Sequence, residues 1–205
     1  METLTGFLFL FPLFMMAVVI HEVSHGVVAD YLGDLTARRA GRLTLNPFRH
    51  MDLFGTVLLP LFLQLVHAPF VFGWAKPVPV DYRNLRHPKR DMFWIGAAGP
   101  AANFLLAATA ALLLKAGGPA LPPVLAELLR AVALINIGLG AFNLLPVPPL
   151  DGSRVLAGLL PARLAAGLLR LERWGILLVM LLLYFGIIDR VVWPAVAWLA
   201  RAFGL

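Results

Sequence analysis

The sequence predicts an all-α, multi-pass membrane protein of about four to six transmembrane helices, built as one integral-membrane domain over residues 1–205. Three observations predict it. Hydrophobic residues make up 60% of the chain and the mean hydropathy is +0.85, against roughly 45–50% apolar content in soluble domains. Charged residues make up only 14%, too few to cover the surface of a water-soluble protein of this size. The apolar residues gather into five segments, most of them near the roughly 20 residues that cross a bilayer.

The first segment covers residues 6–32. Its beginning has the hydropathy of a signal peptide, yet no basic flank precedes it and it runs straight into His21-Glu22-Val23-Ser24-His25. It reads as a retained span. The second, 53–72, is broken by Pro60, Gln64, His67 and Pro69. The third covers 92–114 and the fourth 128–145. The fifth starts at Trp174 and reaches at least 188, with Asp189-Arg190 marking its end, and 191–205 forms an interfacial helix or a further crossing. Trp94, Trp174, Trp193 and Trp198 suit membrane-interface anchors. Between the second and third segments, residues 74–80 are short and Pro-rich. Pro77 and Pro79 lie two apart, so their missing N–H groups face one side of a strand. This predicts a short edge strand.

The net charge is +6. Nucleic acid is not needed to explain it, because cationic loops at an anionic membrane face account for the excess. Connection 33–52 carries Arg38, Arg39, Arg42 and Arg49. Connection 73–91 carries Lys76, Arg83, Arg86, Lys89 and Arg90. Connection 151–173 carries Arg154, Arg163, Arg170 and Arg173, whereas 116–127 has no Lys or Arg. With all three basic connections on the cytoplasmic side, segment 53–72 must enter and leave on one side as a re-entrant or broken helix, its exposed backbone covered by other protein. The alternative is a plain crossing with one basic loop on the wrong side. On the first topology His21 and His25 lie in the inner half of the first span, and Asp151 at the inner end of the fourth.

The chain has no cysteine, which excludes thiolate metal sites and a thiol nucleophile. Any metal is held by His, Asp or Glu. His21 and His25, four apart, put both imidazoles on one helix face, where they can share a zinc ion. Glu22 stands beside the first of them, placed to act on metal-bound water without being a ligand. Ionisable residues inside an apolar span are costly and normally functional. A third protein ligand is required. His50 and His87 lie in polar basic connections and are expected to be solvated. His67 competes with Asp151, which follows the proline-broken stretch Asn143 to Leu150 and precedes Gly152. Asp151 is the better candidate; the bland alternative is a cap for a helix starting near Arg154. Gly96, Gly99, Ala101 and Ala102 read as close helix packing, and Asn103 as an interhelical tie.

Three stretches, His21 to His25, Gly99-Pro100-Ala101-Ala102-Asn103, and Asn143 through Gly152, resemble the site-2 protease family of membrane-embedded zinc metalloproteases. Residues 72–80 resemble its compact prokaryotic branch. The resemblance covers roughly residues 18–155. It implies one Zn2+ per chain on His21, His25 and Asp151, with Glu22 as general base and Asn143 near the substrate or the tetrahedral oxyanion. It implies hydrolysis of peptide bonds in or near transmembrane segments of membrane proteins, in a prokaryotic plasma membrane; the charge count puts the active site towards the cytoplasm. An unwound substrate segment would pair with the edge strand at Trp74, Val78 and Val80. Many members carry an extra span ahead of the zinc helix, or a PDZ or CBS domain. Here that helix is the first apolar segment and the chain is too short for either domain. The alternative function is a membrane metal carrier or sensor using the same His and Asp residues.

Overall fold

The computed structural model describes residues 2–66 and 73–205. Nine α-helices carry the fold among them. They are α1 (Glu2–Tyr31), α2 (Thr36–Arg39), α3 (Leu59–Leu65), α4 (Pro88–Gly117), α5 (Pro123–Asn143), α6 (Asp151–Leu159), α7 (Ala162–Arg170), α8 (Gly175–Tyr184) and α9 (Ile187–Phe203). Three helices are long and apolar enough to cross a membrane, within Phe9–Tyr31, Pro88–Ala120 and Pro123–Asn143. A bent pair, Ala162–Tyr184 with Ile187–Phe203, raises the number to four if it counts as one span. Many of their exposed side chains are apolar, such as Leu105, Leu112 and Leu134, as lipid requires.

α4 is the centre of the bundle and packs against α1, α5 and α6. Proline at its first position suits a helix start, where the missing N–H costs nothing. Below it, Ala29, Leu85 and Ile95 join α1 to α4 through the intervening loop. Further along, Ala107, Ile137 and Val196 join α4, α5 and α9. Small residues at these contacts let helix backbones approach closely.

Pro60 does not interrupt the described part of the second apolar segment: it stands in the first turn of α3, where its missing N–H costs nothing. That part is a π-helical stretch, Leu53–Leu58, running into α3. Leu53–Leu65 is too short to be a membrane span. Residues 67–72, with His67 and Pro69, lie outside the described residues.

Three other expectations need correction. Residues 74–80 form no strand, and no strand occurs among the described residues. The N–H groups of Trp74 and Lys76 do alternate as in an extended chain, but they bind Gly55 O (3.1 Å) and His50 O (2.8 Å), which belong to a helix and a turn and offer no partner strand. His50 is fully buried. Its Nε2 meets Thr44 O at 2.9 Å because loop 40–52 folds beneath the 73–80 segment, where Arg42 also donates to Lys76 O. His87 is exposed as expected. Finally, the fifth segment ends earlier than Asp189. Gly186, at φ 64°, breaks it in a conformation that favours glycine. Asp189 then lies in the first turn of α9, which runs on continuously to Phe203.

Candidate metal centre

His21 and His25 lie on the α1 face turned to α4, and Asp151 is the first residue of α6. All three are buried. Asp151 Oδ2 is 2.9 Å from His21 Nε2 and 3.2 Å from His25 Nε2. The two Nε2 atoms are 3.1 Å apart.

The opposite ring nitrogens fix what these atoms are. His25 Nδ1 lies 2.6 Å from Ile95 O, a carbonyl that can only accept, so Nδ1 carries the proton. His21 Nδ1 lies 2.6 Å from Asn103 Oδ1. Asn103 spends its amide hydrogens on Asn136 Oδ1 (2.8 Å) and Ala17 O (3.4 Å), so it presents an acceptor to His21. Asn136 in turn donates to Val132 O. In its neutral form each ring therefore holds a bare lone pair on Nε2. Asp151 Oδ2 is itself buried and has no hydrogen-bond partner. Three unprotonated donor atoms converge inside an apolar bundle, an arrangement that calls for a cation between them. Zinc bonds of 2.0–2.1 Å at tetrahedral angles separate ligand atoms by about 3.3 Å, close to the spacing here. The donor set fits zinc, and His21, His25 and Asp151 form a group able to hold a metal ion.

Glycines make the convergence possible. A Cβ on Gly99 would lie 2.5 Å from His25 Nε2 and 2.6 Å from His21 Nε2. Gly99 is thus the wall of the site as well as a helix contact. A Cβ on Gly152 would lie 2.1 Å from Leu144 O, so Asp151-Gly152 can tuck under the end of α5. Gly96 passes 3.2 Å, measured from its would-be Cβ, from Asp151 O. Asp151 precedes Arg154 at the positive end of α6, and a side-chain cap bond is absent there.

Glu22 is half-buried. Its Oε2 accepts the Val78 N–H at 2.9 Å, which brings the 73–80 segment to the site. Gly26 allows that approach, since a Cβ there would lie 2.8 Å from Val78 Cγ1. Asn143 ends α5, and its Nδ2 donates to Leu139 O in its own helix. Trp74 packs against Gly55 and Phe54. Asn136 escaped the sequence reading, although a polar residue inside an apolar span is the kind of signal that finds such partners.

The model of peptidase family M50 matches residues 115–185, which include Asp151 and Asn143. YwhC of Bacillus subtilis (strain 168) is 37% identical over 181 residues, covering 85% of this chain and 79% of that protein. Rip2 of Mycolicibacterium smegmatis is 27% identical over 184 residues, covering 90% of this chain and 70% of the relative. Rip3 of Mycobacterium tuberculosis matches 65 residues at 42% identity. Each of the three carries the name zinc metalloprotease as a provisional designation. No solved structure matches. Fold and site together define a membrane-embedded zinc metalloprotease. The chain belongs to peptidase family M50.

Proposed function

We propose that this protease cuts peptide bonds in or beside transmembrane segments of membrane proteins, as in regulated intramembrane proteolysis, from a site towards the cytoplasmic side of a prokaryotic plasma membrane. One observation carries the reading: the three metal-binding atoms meet between helices α1 and α4, both long and apolar enough to cross a membrane. A substrate must come to them within the bilayer. The side follows from the charge count, with three basic connections set against one that lacks Lys and Arg.

His21, His25 and Asp151 hold the zinc, with Asn103 and Ile95 O orienting the two rings. When bound, zinc lowers the pKa of its water and polarises the scissile carbonyl. Glu22 is the general base. Val78 N–H holds Oε2, and Oε1 has no hydrogen bond among the described residues, so Oε1 takes the proton. The water oxygen bonds to the carbonyl carbon, the C–N bond breaks, and Glu22 returns the proton to the leaving nitrogen. The extended stretch around Trp74, Val78 and Val80 receives the unwound substrate. Asn143 helps hold the substrate or the oxyanion after turning from Leu139 O.

The test uses the full chain in liposomes with a single-span membrane peptide. Cleavage inside the apolar segment is expected, lost in Glu22→Gln with zinc retained. Cleavage confined to water-exposed loops, or turnover surviving in Glu22→Gln, refutes the reading. Zinc flux without cleavage would point to a carrier.

A further inference from the structure

Arg86, Lys89 and Arg90 stand at the start of α4 on the rim of an open basin of about 640 Å³. Its floor is carbon: Phe93 and Trp94 from α4, and Leu159 from the end of α6. The basin forms because α6 lies tight on α4. A Cβ on Gly158 would be 2.7 Å from Phe93 Cβ and 3.1 Å from Lys89 O. The Phe93 and Trp94 rings meet edge to face, 5.1 Å between centroids, and Trp94 is 55% exposed.

The rim charge is largely uncompensated. Arg86 and Lys89 have no ion pair or hydrogen bond among the described residues. Arg90 Nε reaches Asp91 Oδ1 only at 3.4 Å, and Asp91 is buried with its other oxygen taken by His87 N–H.

The position of the basin along the span decides what fills it. The 30 residues of α4 make a rod of about 45 Å, roughly 15 Å longer than the hydrocarbon core. The polar turn at 88–91 therefore stands in the headgroup layer, and Trp94 lies where the apolar stretch begins. A free anion satisfies the rim and leaves the aromatic floor bare. A phospholipid satisfies both.

We propose that this basin binds an anionic phospholipid, its phosphodiester on Arg86, Lys89 and Arg90 and its glycerol and first acyl carbons on Phe93, Trp94 and Leu159. The test is quenching of Trp94 fluorescence by bromine-labelled phosphatidylglycerol or phosphatidylcholine, in the full-length zinc-loaded protein in mixed micelles. Trp94→Phe identifies the Trp94 signal. Phosphatidylglycerol should be preferred by roughly 25-fold, about five-fold for each of two unpaired cations. The double variant Arg86→Gln/Lys89→Gln should fall to near parity with zinc content unchanged. Arg163→Gln/Arg170→Gln, which removes the same charge elsewhere, should keep the preference. Equal quenching by the two lipids in the wild type overturns the site. So does an equal loss in both double variants, which would reduce the effect to diffuse attraction. Displacement of the lipid by millimolar inorganic phosphate would assign the basin to a free anion instead.

Discussion

Val78 donates its backbone N–H to Glu22 Oε2 at 2.9 Å, joining a loop to the zinc helix across 56 positions of chain. The bond leaves one carboxylate oxygen for the proton, so the loop sets the orientation of the proposed base. Replacing Val78 with proline deletes that donor, whereas alanine keeps it. A hydrogen bond to a charged group contributes about 1.5–3 kcal/mol, which predicts a ten- to hundred-fold fall in kcat for Val78→Pro if the bond is held through the transition state. Zinc content should stay near wild type, and Val78→Ala should lose far less kcat. A rise in KM with kcat unchanged would mean that Val78 acts only through the substrate and does not orient Glu22.

Asn103 is the next test, because it presents an acceptor to His21 Nδ1 at 2.6 Å while its amide hydrogens are held by Asn136 and Ala17. Losing the group that fixes a ligand's tautomer typically costs about 10–100-fold in metal affinity. Asn103→Ala should weaken zinc binding by that factor in a competition against a chelator. Asn136→Ala, one bond further out, should weaken it less. Unchanged affinity in Asn103→Ala would make the residue only a tie between helices.

Gly99 separates packing from metal binding. A methyl group there meets two ligand nitrogens at 2.5 and 2.6 Å, well inside van der Waals contact. Gly99→Ala should therefore abolish zinc binding. Gly138 lies in α5 with nothing within 4 Å of its would-be Cβ, so Gly138→Ala should keep zinc and gain up to about 1 kcal/mol from helix propensity. Metal analysis and thermal melting of the two proteins side by side check both outcomes. Stoichiometric zinc in Gly99→Ala would mean that the α1–α4 contact is looser than the distances show.

Much of this site was legible in the residue pattern, and the reasons are physical. A helix of known pitch puts His21 and His25 on one face wherever it sits, and buried charge in a lipid-soluble segment signals a function. Asp151 could be paired with them because proline-rich residues 146–149 force a break that leaves the next residue at a helix start. The pattern could not show that Asn136 backs Asn103, since that depends on the rotation of α5 against α4. It also misplaced His50. Composition made its loop look solvated, whereas backbone bonds from Lys76 to His50 O fold that loop under the protein. The edge strand failed for a related reason: alternation of N–H groups was read correctly, but their acceptors are a helix carbonyl, a turn carbonyl and a carboxylate. The break at Gly186 was missed because the apolar run continues unbroken across it.

Asp34 anchors the loop that carries Val78 and yields the pH dependence. It is fully buried. Its carboxylate accepts from Asp81 N–H at 2.7 Å, Asn84 Nδ2 at 2.9 Å, Thr36 N–H at 3.1 Å and the Thr36 hydroxyl. Burial pushes this carboxyl up, but the donors from Asn84, Thr36 and Asp81 outweigh it and hold the group below its ordinary 3.8. A lowered folded-state value means that the unfolded chain takes up the proton first as pH falls. The stabilisation is complete above the ordinary value and is lost as pH drops below about 4. Asp81, drawn down to about 2 by Arg83, stays largely ionised through the upper part of that window. Metal-free wild type should therefore lose melting temperature between pH 5 and pH 3 more steeply than metal-free Asp34→Asn (window set by the ordinary carboxylate range). At neutral pH the variant should already be less stable, by about 2 kcal/mol. Parallel curves through that window would show that the Asp34 charge is not what ties the 81–84 turn to the end of α1.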